Sequence, residues 1–129
     1  MSGYGFGKTL QATTFEDARA RVTAALAAEG FGVLTQIDLA GTLKAKIGAD
    51  LRPYVILGAC NPTLAHQAVG IDPDVGLLLP CNVVLREVEG GTEVRFLDPY
   101  AMFGVMEGQA LRPVADEANA RLRRAMDAL

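Results

Sequence analysis

The sequence contains no tryptophan, one histidine and two cysteines in 129 residues, and each shortage narrows what the chain can be. Two cysteines are too few for a disulfide scaffold. In a reducing compartment they read as free thiols rather than a structural bridge, although their spacing does not forbid a reversible one. Cysteine and histidine together fall short of the four ligands of the usual structural zinc site. Half the residues are hydrophobic, yet no apolar run approaches a membrane span, and the start from Met1 to Lys8 holds no long apolar signal core. A basic excess is missing too. Twelve Lys and Arg stand against fifteen Asp and Glu, and Arg121, Arg123 and Arg124 share a segment with Asp116, Glu117 and Asp127, which speaks against nucleic acid as a partner. The expectation is a soluble, cytoplasmic chain that engages neither nucleic acid nor membrane. Without linker, low-complexity stretch or repeat, residues 1–129 read as a single domain.

What is present falls into short, closely spaced elements. An opening strand from about Tyr4 to Gln11, with Gly3, Gly5 and Gly7 as a flexible lead-in, reaches Thr13-Thr14-Phe15-Glu16, where Thr13 and Glu16 have capping-box spacing. The helix runs to Gly30, with Phe15, Ala18, Val22, Ala25 and Leu26 on its packing face. Phe31, Val33, Thr35 and Ile37 then alternate with Gly32, Leu34, Gln36 and Asp38 as a strand, and Asp38 caps a short helix through Ile47 that Gly48 closes. Tyr54-Val55-Ile56-Leu57 is apolar throughout, which predicts a central strand buried on both faces or beneath a partner subunit, ending at Gly58-Ala59-Cys60.

Asn61 as N-cap and Pro62 as first helical residue open a helix to about Val69, ended by Gly70. Asp72-Pro73-Asp74 makes a turn, and Leu77 to Glu89 with Thr92 to Leu97 flank Gly90-Gly91 as a hairpin. Pro80 cannot donate to a ladder, so its strand is expected to bulge or lie at an edge just before Cys81. From Leu111 to Leu129, Val114, Ala115, Ala118, Leu122, Ala125 and Met126 continue one helical stripe. The fold class that follows is α+β, a two-layer sandwich of about five mostly antiparallel strands covered by helices.

Chemistry is expected where the two cysteines stand, each before an asparagine and after an apolar run: Gly58-Ala59-Cys60-Asn61-Pro62 and Leu79-Pro80-Cys81-Asn82-Val83. Cys60 precedes a helix start, where free N–H groups and the dipole favour a thiolate; the alternative is a small core hydrophobe. Cys81 shares a face with Leu79, Val83 and Leu85, which favours a packed thiol. A Cys60–His66–Asp38 nucleophilic arrangement can be written down, but no family-specific nucleophile signature accompanies it and His66 reads as a surface residue. Cys60, Cys81, His66, Met102 and Met106 are soft-ligand types without metal-site spacing, so no metal is assigned. Gly7-Lys8-Thr9 lacks the preceding glycine and strand of a phosphate loop. Asp98-Pro99-Tyr100-Ala101-Met102 follows a strand as a loop with a carboxylate at its mouth.

The segments Gly30 to Asp38, Arg52 to Pro62, Leu78 to Val84 and Asp98-Pro99 together resemble the family called domain of unknown function 302, over nearly the whole chain. The resemblance implies a bacterial or archaeal two-layer α+β domain that commonly forms a homodimer, with no established activity or cofactor. Its characteristic positions fall here on Asp38, Cys60, Asn61, Pro62, Pro80, Cys81, Asn82, Asp98 and Pro99. Where the family usually reads Glu-Ile-Asp, this chain has Gln36-Ile37-Asp38, and an amide cannot cycle a proton near neutral pH.

The leading expectation is therefore a homodimer that binds a small-molecule or thiol-reactive ligand near Asp38, Cys60, Asn61, Cys81, Asn82 and Asp98. One alternative is a cysteine-dependent enzyme or redox protein using Cys60 as its catalytic residue. The other is a structural or dimerisation module in which both asparagines serve the fold. Cofactor and substrate are left open.

Overall fold

Alternating apolar residues build a five-stranded antiparallel sheet in the computed structural model, which describes residues 3–103 and 109–129. Its strands are β1 (Gly5–Gln11), β2 (Gly32–Asp38), β3 (Tyr54–Cys60), β4 (Cys81–Val88) and β5 (Gly91–Leu97), in the spatial order β1-β5-β4-β3-β2. The helices are α1 (Phe15–Ala28), α2 (Leu39–Ile47), α3 (Pro62–Ile71), α4 (Pro99–Phe103) and α5 (Arg112–Asp127), with a short 3-10 helix at Pro73–Leu78. The expected α+β class is what forms.

One face of the sheet carries the core. Val55, Leu57 and Ala59 of β3, Val83 and Leu85 of β4, and Val94 and Phe96 of β5 pack against Ala18, Val22 and Leu26 of α1, Leu64 and Ala68 of α3, and the apolar stripe of α5. Full burial of a side chain such as Leu57 or Leu85 is worth about 1.5–3 kcal/mol. Among the described residues no helix covers the opposite face, which corrects one of the two alternatives expected for β3, burial on both faces within the chain. Ile56 and Tyr54 stay half-exposed, because within this chain only one face of the strand meets helices.

The caps follow the sequence with small shifts. Thr14, not Thr13, caps α1 by accepting from the Asp17 N–H at 3.1 Å. Asp38 caps α2, and Gly48 closes it in the left-handed region at φ 68°. Asn61 caps α3 with Pro62 in its first turn, and the helix runs past Gly70 to Ile71. Three expectations change more. Leu77 and Leu78 lie in the 3-10 helix, so β4 starts only at Cys81; Pro80 therefore sits outside the ladder and no bulge is needed there. The hairpin register pairs Val88 with Gly91, making Glu89-Gly90 the turn. Asp98 leads into helix α4 rather than a loop.

Gly5 and Gly7 are not a flexible lead-in but residues of β1, paired with Leu97 and Arg95. A Cβ at Gly7 would collide with the Val94 carbonyl oxygen, and Arg95 Cδ would lie 2.8 Å from it. The glycines let the chain pass close beneath Arg95.

The alternation expected across β2 breaks at one residue. Val33 pairs with Ala59, but the register shifts before Thr35, which pairs with Gly58. Leu34 is the extra residue of this bulge, and a one-residue offset exchanges the two faces of everything after it. Gln36 and Asp38 consequently pair with Leu57 and Val55 on the helix side, while Ile37 pairs with Ile56 on the open side.

Candidate functional site

The expected site residues fall in different places. Cys60 ends β3 and Cys81 begins β4; Ala59 pairs with Cys81, so the two cysteines are diagonal neighbours at one end of the sheet. Both line a small apolar space of about 30 Å³ beneath α3 and α5. Asn61 stands beside them, buried, its Oδ1 accepting the Leu64 N–H at 3.1 Å, so that side chain serves the helix start. Asp98 follows β5 at the same end: its N–H donates to the Tyr4 carbonyl at 2.9 Å, its Oδ1 accepts from the Tyr100 N–H, and Arg123 lies 3.7 Å from its Oδ2.

Asn82 points to the uncovered face, in a groove with Val84, Arg86, Glu93 and Arg95. There Arg86 donates Nε and Nη2 to Glu93, which holds that carboxyl below the ordinary carboxylate range.

Asp38 lies at the other end. Gly32 pairs with Cys60 but Asp38 pairs with Val55, which separates the carboxylate from the cysteines by roughly 16 Å of strand. With His66 exposed on α3, Cys60, His66 and Asp38 do not form a catalytic triad. Among the described residues no group of three or more His, Cys, Asp or Glu side chains is placed to hold a metal ion, and Met106 lies outside the described residues. No helix among them is long and apolar enough to cross a membrane.

The two thiols, both unbridged, differ in access. Cys60 is half-buried, whereas Cys81 is only 8% exposed. Burial pushes the Cys81 thiol up to about 11, and neighbouring Cys60 adds to the rise. A thiol with a raised folded pKa holds its proton more tightly in the folded chain than in the unfolded one. Its stabilising contribution is therefore intact below the ordinary value of 9.0 and lost as pH climbs through about 11. In urea titrations the wild type should lose about 2 kcal/mol more than Cys81→Ala over that interval. Parallel pH profiles for the two proteins would rule out the buried thiol as the cause.

Asp38 opens onto a larger feature, a cleft of about 590 Å³ between α1 and α2. Its floor is the helix-side surface of β2 and β3, with Gln36, Asp38 and Val55; Phe15, Glu16 and Arg19 of α1 form one wall, and Ala40 and Lys44 of α2 the other. Leu51 and Pro53 add apolar surface. Asp38 Oδ1 accepts the Gly41 N–H at 2.9 Å, Lys44 pairs with Asp50 at 2.7 Å, and Arg19 pairs with Glu16. The Arg19 guanidinium lies 5.5 Å from the centre of the Phe15 ring, and its buried Nε has no hydrogen-bond partner among the described residues.

Sequence reading missed Arg19, Lys44 and the apolar walls. The available signal was the pair of polar residues at Gln36 and Asp38, but their helix-side position depends on the Leu34 bulge.

Residues 6–129 match the family described as domain of unknown function DUF302. The chain is also similar to an uncharacterized conserved DUF302 protein from Bacillus stearothermophilus whose crystal structure is known: 30% identity, coverage of 98% of each chain and a TM-score of 0.89. No curated protein matches it. A family match over residues 6–129 and a shared fold at that identity lead to one conclusion: this chain belongs to the DUF302 family.

Proposed function

We propose that this chain is a homodimeric, cytoplasmic domain that binds a small molecule in the cleft between α1 and α2, rather than at the thiols. The observation that carries this reading is room. The cleft offers about 590 Å³, the groove beside Asn82 about 420 Å³ and the space beside Cys60 and Cys81 about 30 Å³. Small-molecule sites span roughly 300–1,000 Å³, mostly apolar with a few placed polar groups, whereas a space of the smallest size suits about one water. The unbridged thiols fit a reducing compartment.

A fragment screen by thermal shift tests the location. Ala40→Trp fills the cleft from α2, a helix with no buried residue of its own, and should weaken hits at least about tenfold. Alkylating Cys60 with iodoacetamide should leave those hits in place. Hits that survive Ala40→Trp and vanish on alkylation would overturn the cleft and favour the alternative, a cysteine-dependent or redox role for Cys60 beside the α3 start.

Dimerisation draws on a separate observation. Neither β2 nor α2 has a buried residue, and Leu34, Ile37, Ile47 and Leu51 in and beside them are exposed. Ile37, Ile56 and Val84 form a cross-strand row over the uncovered face, the kind of apolar surface a partner subunit covers. Ile37 is 48% exposed, so Ile37→Glu should leave the monomer folded and raise the dimer dissociation constant at least about tenfold in sedimentation velocity. A wild type that sediments as a monomer at every concentration sinks the homodimer.

A further inference from the structure

We propose that the cleft takes an uncharged, planar ligand with a carboxamide or lactam edge, recognised by the side-chain amide of Gln36. The proposal rests on the cleft being the ligand site and adds the chemistry of what fills it.

The charged groups around the cleft already satisfy one another. Arg19 is paired with Glu16, Lys44 with Asp50, and Asp38 with the Gly41 N–H. An anion would meet three carboxylates against two cations, and a cation would meet Arg19 and Lys44. An anion would have to take Arg19 or Lys44 from its present partner, and a cation drawn to Asp38 would have to share the cleft with both of them. An uncharged ligand avoids both penalties.

The Gln36 side chain is different. It projects from the helix side of β2 into the cleft, exposed, and makes no hydrogen bond within the described residues. An amide presents an acceptor and a donor side by side, so its complement is an edge with a donor and an acceptor at the same spacing, the basis of glutamine pairing with adenine. Phe15, Leu51 and Pro53 supply apolar surface against which a flat ring can lie.

The test uses three ligands built on one pyridine ring: nicotinamide, nicotinate and the corresponding aminomethylpyridine, which is cationic near neutral pH. Each is titrated into isotope-labelled full chain and followed by amide-resolved NMR. Nicotinamide should shift the backbone signals of Gly41 and Lys44 and the side-chain amide of Gln36, and bind at least roughly tenfold tighter than either charged analogue. Gln36→Glu keeps the shape but loses the donor, and Gln36→Leu loses both; each should weaken nicotinamide by roughly tenfold. Because Gln36 is exposed, the melting temperature should hold. Nicotinate or the amine binding equally well at the same residues would overturn the amide proposal while the cleft stands. Shifts gathered around Cys60 and Cys81 would overturn the cleft as well. No response to any of the three, with fragments from the thermal-shift screen still binding the cleft, would reject the ligand class alone.

Discussion

Phe96→Ala is expected to destabilise the chain by about 3–5 kcal/mol, a large part of the roughly 5–15 kcal/mol that holds a domain of this kind together. Phe96 is 1% exposed on β5, the strand that joins β1 to the rest of the sheet. Its ring meets Phe6 edge-on at 5.8 Å, and the Arg123 guanidinium lies 3.7 Å from the centre of the Phe6 ring. Truncation removes the transfer free energy of the ring and leaves a cavity under both strands, and it loosens the stack by which α5 is laid over β1. Urea denaturation measures it. A loss below about 1 kcal/mol would mean that the core collapses into the gap and that the Phe6–Phe96 pair does not anchor β1.

Gly7→Ala should cost about 3 kcal/mol even though it adds one methyl to a strand on the uncovered face. The new carbon would meet the Val94 carbonyl oxygen and sit 3.0 Å from Arg95 Cα, both belonging to the β5 backbone, so relief requires parting the β1–β5 ladder. Gly3→Ala provides the contrast, since nothing lies within 4 Å of a Cβ there and the substitution should be silent. The difference between the two melting temperatures is the measurement. Equal values would mean that β1 does not run against Arg95 as described.

These glycines show where sequence reading stops. Asp38 before Leu39 and Asn61 before Pro62 declare their helix starts through local hydrogen bonds that a few residues decide, and both caps form. Gly5 and Gly7 answer to residues some ninety positions away, and local composition makes them resemble a loose tail. Leu77 to Leu79 is apolar enough for a strand, yet Asp72 accepting from the Asp74 N–H starts a 3-10 helix instead.

The site was legible in the same uneven way. Cys60 and Cys81 stand beside each other because β3 and β4 pair antiparallel with Ala59 opposite Cys81, a register no local motif encodes. The same pairing logic carries Asp38 to the far end of β2. The larger cleft therefore lies beside the one carboxylate of the group that the cysteines do not reach, along with Arg19 and Lys44, which carried no motif of their own.

Leu34 acts as a frame marker. Because the bulge decides which side of β2 each later side chain occupies, drawing Leu34 into the ladder as a paired residue would be a frameshift in three dimensions. Ile37 would turn toward the helices, and Gln36 and Asp38 toward solvent. The greasy outer row and the polar floor would disappear together, so the surface proposed for a partner and the cleft proposed for a ligand both hang on one bulge.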